Sequence, residues 1–557
     1  MKKISFFILI CIFLFACKQS EKYDTIIRNG LVFDGKGNEP IKADVGIRSD
    51  TIAFIGDLSS ASADSIVDAG GKAVTPGFIN MLSWATASLI HDGRSLGDLS
   101  QGVTLEVMGE GWSMGPLTES MQKMEEADQA DFTYPVTWKT LGGYLQTLED
   151  SGISCNVASF VGATTIRQYV LGENNVQATP AQLDSMRMLV RQAMEEGAMG
   201  VGSSLIYPPA FFASTEELIA LCAEASKYGG SYISHIRSEG SRLYEAVEEL
   251  MTIAEKAKIP AEIYHLKAAG KSNWYKIDSV IKRIEKARSS GMDIRADMYV
   301  YPAGGTGLTA TMPPTLQDGG FDLLRKRLMD PSIRKSVKKE MNQPTDKWEN
   351  FYLAVGKPEN ILLTGFKQDS LKKFTGKSLA EIAAIRNTGP EETAMDLIVQ
   401  DSTRVEAIYF MIDEANIEKE VKLSWISFGS DEGSFAPEGV FLKSNVHPRA
   451  YGNVARLLGT YVREKKLIPL KDAIHRLSGF PARNLKLSKR GTIESGQYAD
   501  IVIFDPETIT DHASFEKPHQ LATGVTDVWV NGRQVIKNGN HTGVKPGRFV
   551  KGPGWKK

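Results

Sequence analysis

Three side chains stand where apolar, strand-like runs end. His235 closes Ser231-Tyr232-Ile233-Ser234-His235, His265 closes Ala261-Glu262-Ile263-Tyr264-His265, and Asp431 follows Trp425 to Ser430. The two histidines are 30 residues apart, about one strand–helix unit, so adjacent parallel strands would aim both into one mouth. Two imidazoles beside a carboxylate suit Zn²⁺, which takes nitrogen and oxygen ligands and activates water. Other soft ligands are scarce, since the 557 residues include only 8 histidines and 4 cysteines. Cys155 and Cys222 each stand alone in apolar surroundings and read as buried thiols. His447 precedes Pro448-Arg449 and could touch the same pocket; the other histidines sit in segments read as loops or surface helices.

The elements that must position these groups alternate. Strand-like runs occur at 73–80, 103–109, 155–162, 199–205, 231–236, 261–266, 294–301 and 425–429. Helical patterns follow several of them. Thr179-Pro180-Ala181-Gln182 and Ser214 with Glu217 are capping boxes that open two of these helices. Eight such units predict an α/β fold, a (β/α)₈ TIM-type barrel over 73–485 with its chemistry at the C-terminal strand ends. Period-two runs at 25–72 and again within 486–557 predict a small β-sandwich domain built from both chain ends. A Lys-, Pro- and Gly-rich stretch from about 303 to about 389 breaks the alternation and reads as a lid-like insertion.

The formal charge of -2 gives no electrostatic case for nucleic-acid binding. Lys2 and Lys3 before the apolar run Ile4 to Phe15 read as a signal peptide over 1–16, too short for a membrane span. Leu14-Phe15-Ala16-Cys17 resembles a bacterial lipobox. That resemblance implies lipidation of Cys17, a polar tether over 17–24, and anchoring on the periplasmic side of the cell envelope.

An ordered series of motifs resembles the N-acyl-D-amino-acid deacylases (D-aminoacylases) of the amidohydrolase superfamily. It runs through Val74-Thr75-Pro76-Gly77, Gln101-Gly102-Val103-Thr104, Ser234-His235-Ile236-Arg237-Ser238-Glu239-Gly240 and His265-Leu266-Lys267. It continues through Ala296-Asp297-Met298-Tyr299, Gly429-Ser430-Asp431 and His447-Pro448-Arg449. The resemblance implies His235 and His265 as zinc ligands and Asp431 as the general base that moves a proton from water to the leaving amine. It also implies that Lys267, Tyr207, Tyr299 and Arg449 hold the substrate, chiefly its α-carboxylate, which Arg can grip bidentately.

The chain departs from the superfamily pattern in two places. Leu82 and Trp84 occupy the positions of a His-x-His pair, and Gly111 stands where the family has a cysteine ligand. The fourth strand also offers no lysine to bridge two metals. One zinc ion is therefore expected, completed by Glu110, which neighbours the missing cysteine, or by Glu106 within the second strand. The resulting expectation is a zinc hydrolase of N-acyl-D-amino acids or related D-amino-acid amides. The alternatives are an amidohydrolase of cyclic amides, lactones or dipeptides, and a metal-free lipid-anchored binding protein.

Overall fold

The computed structural model describes residues 22–556. Cys17 and the apolar leader fall outside the described residues. Within them, no helix is long and apolar enough to cross a membrane.

Eight parallel strands form the barrel: β1 (Phe78–Asn80), β2 (Val103–Met108), β3 (Asn156–Ser159), β4 (Gly200–Ser204), β5 (Ser231–His235), β6 (Ala261–Ile263), β7 (Ile294–Met298) and β8 (Ile426–Phe428). Strands β1 to β3 pair in order, with a register shift between Phe78 and Ile79, and β4 to β8 pair without one. The ring closes where Val161 pairs with Val201, and where Met81 N–H donates to the Phe428 carbonyl at 3.1 Å. Every residue of β2 is buried, as expected for a strand covered on both faces. The surrounding helices keep apolar stripes inward. In Leu243–Ala257, Val247, Leu250, Met251 and Ala254 are all buried. Both helix starts read from the sequence are present, but only the first is a full capping box. Thr179 and Gln182 cap Pro180–Glu196 reciprocally, whereas Ser214 accepts from the Glu217 N–H to open Thr215–Ser226 and the Glu217 carboxylate turns to Arg167 instead.

Beside the barrel lies a nine-stranded sheet. It takes Lys22–Val32, Ile41–Arg48, Thr51–Gly56, Ser62–Asp68 and Ala73–Pro76 from one end of the chain. The other end gives Ile501–Phe504, Val525–Val530, Arg533–Lys537 and Asn540–His541. The run at 73–80 is thus two strands, one in each body. The break falls at Gly77, where a Cβ would approach the Thr104 hydroxyl to 2.0 Å.

Three expected boundaries differ. The sheet begins at Lys22, inside the expected tether, because Tyr23 is buried and packs where Gly46 leaves room. The last described residues, 544–556, leave the sheet and strap the base of the barrel: Gly547 N–H donates to the Ile153 carbonyl and Val550 N–H to that of Val157. The insertion extends past 389. Glu406–Tyr409 is the central strand of its own four-stranded sheet, pairing with Gly304–Gly307 on one side and Ile361–Gly365 on the other. The helix Pro390–Asp401, beyond the expected end of the insertion, belongs to it.

Candidate active site

At the end of β2 the chain turns at Gly109 and presents Glu110 inward. One oxygen, Glu110 Oε1, lies 3.0 Å from His235 Nδ1 and 3.0 Å from His265 Nε2. All three side chains are buried, and their ligand atoms lie within 4.8 Å of one another. Burial alone would raise the Glu110 pKa, but hydrogen bonds from the two histidines hold this carboxyl well below its ordinary range. Glu106 is placed elsewhere. It lies within β2, accepting from the Ser83 hydroxyl at 2.8 Å, and burial followed by the nearby Asp98 pushes it well above the carboxylate range. Its position inside the strand keeps it from the mouth where the histidines converge, so it is not the third ligand of this cluster.

His265 and Asp431 both have left-handed backbones, with φ of 35° and 52°. Such conformations are unusual for residues with a Cβ and persist only where neighbours hold them. Asp297 accepts the His265 N–H at 2.9 Å, and the Leu82 carbonyl accepts the Asp431 N–H at 2.8 Å. Asp431 then faces Arg449, whose Nη2 lies 2.8 Å from Oδ2 and donates to the Asp431 carbonyl at 2.6 Å. Burial raises the Asp431 pKa, and Arg449 draws it partly back.

Two residues join this cluster unannounced by the motif reading. Trp84 stands where a superfamily histidine would be, and its indole N–H is shared between Glu110 Oε2 at 2.9 Å and Asp431 Oδ1 at 3.2 Å. Glu239 accepts from Lys267 Nζ at 2.6 Å and lies 3.0 Å from His265 Nδ1. Burial opposes its ionisation, but Lys267 and the two histidines hold it well below its usual range. The available signal was its place four residues after His235, on the same strand-end loop. His447 is a positioning group: its Nε2 contacts the Ala303 carbonyl at 3.0 Å and its Nδ1 accepts the Arg449 N–H at 3.1 Å. Burial, then Arg449, lowers its pKa well below the ordinary histidine value.

The remaining candidates line one cavity of about 300 Å³ with these groups. Tyr207 packs its ring 5.4 Å from that of His235. The Tyr299 hydroxyl and two Arg449 nitrogens, Nε and Nη1, are buried without partners. Lys267 is less free, held by Glu239 and by the His265 carbonyl at 3.1 Å. The insertion roofs the cavity through Thr306, Thr364, Arg404, Glu406 and Ile408.

The donor set fits a divalent cation. Two imidazole nitrogens and a carboxylate oxygen converge, with no fourth such ligand in the group among the described residues. Glu239 against His265 Nδ1 is the outer carboxylate that fixes the ring and its tautomer in such sites.

Known proteins share this arrangement of chain. The Amidohydrolase family matches residues 426–536. The D-aminoacylase of Alcaligenes xylosoxydans xylosoxydans is 31% identical over 532 residues, covering 95% of this chain and 98% of its own. The N-acyl-D-glutamate deacylase of Bordetella bronchiseptica was solved with zinc and a phosphonate mimic of the tetrahedral intermediate. It aligns with a TM-score of 0.79 and 27% identity, over 95% of this chain and 100% of that one. A D-aminoacylase structure describing a binuclear metal centre, with one-metal activation and second-metal attenuation, gives a TM-score of 0.79 at 31% identity, over 95% of this chain and 100% of that one.

Proposed function

Because the chain belongs to the D-aminoacylase family of amidohydrolases, we propose that it hydrolyses the amide bond of N-acyl-D-amino acids to a carboxylate and a free D-amino acid. The observation that carries this reading is the cluster of Glu110, His235 and His265, linked to Asp431 through the Trp84 indole. The active site takes a divalent metal; we propose a single zinc ion held by Glu110, His235 and His265. When bound, it supplies Lewis acidity to polarise the acyl carbonyl and acidify water.

The chain's own residues do the rest. Asp431 takes the proton of the attacking water and delivers it to the departing nitrogen, so that the amine leaves neutral. Its partial burial of charge suits this exchange, because a base with a raised pKa gains more by accepting the proton. Arg449 and Trp84 fix the carboxylate in the orientation needed for both transfers. The unpartnered Arg449 nitrogens and the Tyr299 hydroxyl are the groups poised to receive the substrate α-carboxylate. Lys267 adds positive charge to the same wall while holding Glu239.

The test is hydrolysis of N-acetyl-D-amino acids against their L enantiomers, with metal content measured alongside. We expect D-selective turnover and one equivalent of zinc. The Asp431→Asn variant should keep its zinc and lose turnover by about 10²–10⁴-fold. Equal rates on both enantiomers, or full activity of that variant, would sink the reading. We also propose that the mature chain is held by lipid on Cys17 at the periplasmic face of the envelope, on the strength of Leu14-Phe15-Ala16-Cys17. Labelled fatty acid should enter the protein and fail to enter Cys17→Ser.

A further inference from the structure

The cavity above Glu110 does not end at its own walls. Trp84, Trp112, Tyr207 and Phe435 line it on one side and a second chamber of about 630 Å³ on the other. That chamber is built from pieces outside the barrel strands. Phe132 follows the helix Glu119–Asp128, Phe321 and Phe366 come from the insertion, and Phe441 comes from the segment after β8. Two of these rings lock together, with Phe132 and Phe441 centroids 5.8 Å apart, and Phe435 lies 5.3 Å from Phe441. None of Lys267, Tyr299 and Arg449 lines the chamber.

This division has a consequence for a substrate with two ends. The α-carboxylate end belongs with Arg449 and Tyr299, and the scissile carbonyl belongs beside Glu110 and the histidines. The wall of Trp84, Trp112, Tyr207 and Phe435 is shared with the aromatic chamber, which makes that chamber the neighbouring space for the atoms beyond the carbonyl. We propose that the chamber is the acyl subsite and that the enzyme prefers a large, uncharged hydrocarbon acyl group over acetyl. A chain of roughly six to ten carbons, or an aryl-acetyl group, matches a pocket of this size class.

The inference rests on the deacylase reading and deepens it. The carboxylates at the chamber's edge argue for a neutral occupant. Glu125 already accepts from the Tyr134 hydroxyl at 2.9 Å, and Asp131 pairs with Lys372 at 2.6 Å, so neither waits for an amine. The chamber's cations are engaged too, Arg404 with Glu406 at 3.0 Å and Lys367 Nζ with the Ala127 carbonyl at 2.6 Å, while Asp128 and Glu173 add acidic groups that disfavour an anionic acyl chain.

The experiment measures kcat/KM for the acetyl, butanoyl, hexanoyl, octanoyl, phenylacetyl, succinyl and glycyl derivatives of one D-amino acid. We expect about a threefold rise per added methylene until the chamber is filled, with succinyl well below butanoyl. Ala87, on the helix Thr86–His91, lines only the chamber; Ala87→Trp should remove the octanoyl advantage and leave the acetyl rate unchanged. Phe321→Ala is the milder variant and should cut the octanoyl rate about tenfold while sparing acetyl. A flat length dependence, a glycyl substrate faster than octanoyl, or equal losses on acetyl and octanoyl in both variants would overturn the subsite. If acetyl substrates are hydrolysed in those cases, the deacylase reading stands and only the subsite falls. If no N-acyl-D-amino acid is hydrolysed, both fall.

Discussion

At the mouth of the barrel, Glu110 and Glu239 stay ionised against burial, because histidines and Lys267 face them at hydrogen-bond distance. Inside the strands, Glu106, Glu262 and Asp297 are buried as deeply, and there burial prevails and pushes each pKa up. Glu106 Oε1 and Asp297 Oδ2 have no hydrogen-bond partner, a state far less costly for a neutral carboxyl than for an anion. The same residue type in the same barrel therefore serves two ends. Where cations converge it is a ligand or an orienting charge; one layer deeper it is polar filling that accepts neutral hydrogen bonds, Glu106 from the Ser83 hydroxyl and Asp297 from the His265 N–H. Burial and chemical identity alone do not distinguish the two tiers, whereas the partners do.

The largest effect should separate Glu110 from Glu106. Glu110→Gln removes the anion on which both histidines converge, and should lose bound metal and lower kcat/KM by about 10³-fold or more. Glu106→Gln keeps the shape of a side chain whose ionisation burial opposes, so metal content and kcat/KM should stay within about threefold of the parent. Elemental analysis and steady-state kinetics on the two proteins decide the matter. Loss of metal from the Glu106 variant would break the distinction between the tiers.

A smaller effect is expected one contact further out. Glu239→Gln removes the charge that faces His265 Nδ1 and Lys267 Nζ. Metal affinity should weaken by about 10–100-fold, the usual consequence of losing an outer carboxylate. Competition with a chelator measures it, and an unchanged affinity would reassign Glu239 to the filling tier. Smaller still is Trp84→Phe, which removes one N–H shared by Glu110 and Asp431. We expect kcat to fall about tenfold with metal retained, as for one lost hydrogen bond to charged groups. A drop in metal content equal to that of Glu110→Gln would show that the indole holds the ligand rather than the base.

The comparison also explains what could be read in the sequence. His235, His265 and Asp431 were legible because each closes an apolar run, and strand ends are where a barrel places its chemistry. Choosing between Glu110 and Glu106 was not possible, since both follow from β2 and only the pairing register shows that Glu106 lies opposite Asn80 and Val157 within the ring. Trp84 was visible only as a missing histidine, because the use of its N–H depends on groups brought in by β2 and β8. The eight strands were legible from alternation. The end of the insertion was not, since Pro390 opens its helix at the same position as Pro180 opens a barrel helix. Glu406–Tyr409 reveals its allegiance only by pairing with Gly304–Gly307 and Ile361–Gly365.

The smallest effect tests the deeper tier without touching activity. Glu262 is buried in β6, accepts from the Ser427 hydroxyl at 3.1 Å, and has its pKa pushed up to about 7 by burial, against the pull of Arg295. In the unfolded chain a glutamate loses its proton near pH 4.5. Between those values the native state holds a proton that the unfolded state has released, so folding stability falls as pH rises, and above the folded pKa the full cost is present. That cost is about 3 kcal/mol at most. Glu262→Gln cannot ionise and should lose this slope. Its thermal midpoint relative to the parent should be lowest near pH 5 and should climb through pH 8, with kcat/KM unchanged. A parallel pair of stability profiles would mean that Glu262 is charged in the native barrel, and that the division between the two tiers does not extend to β6.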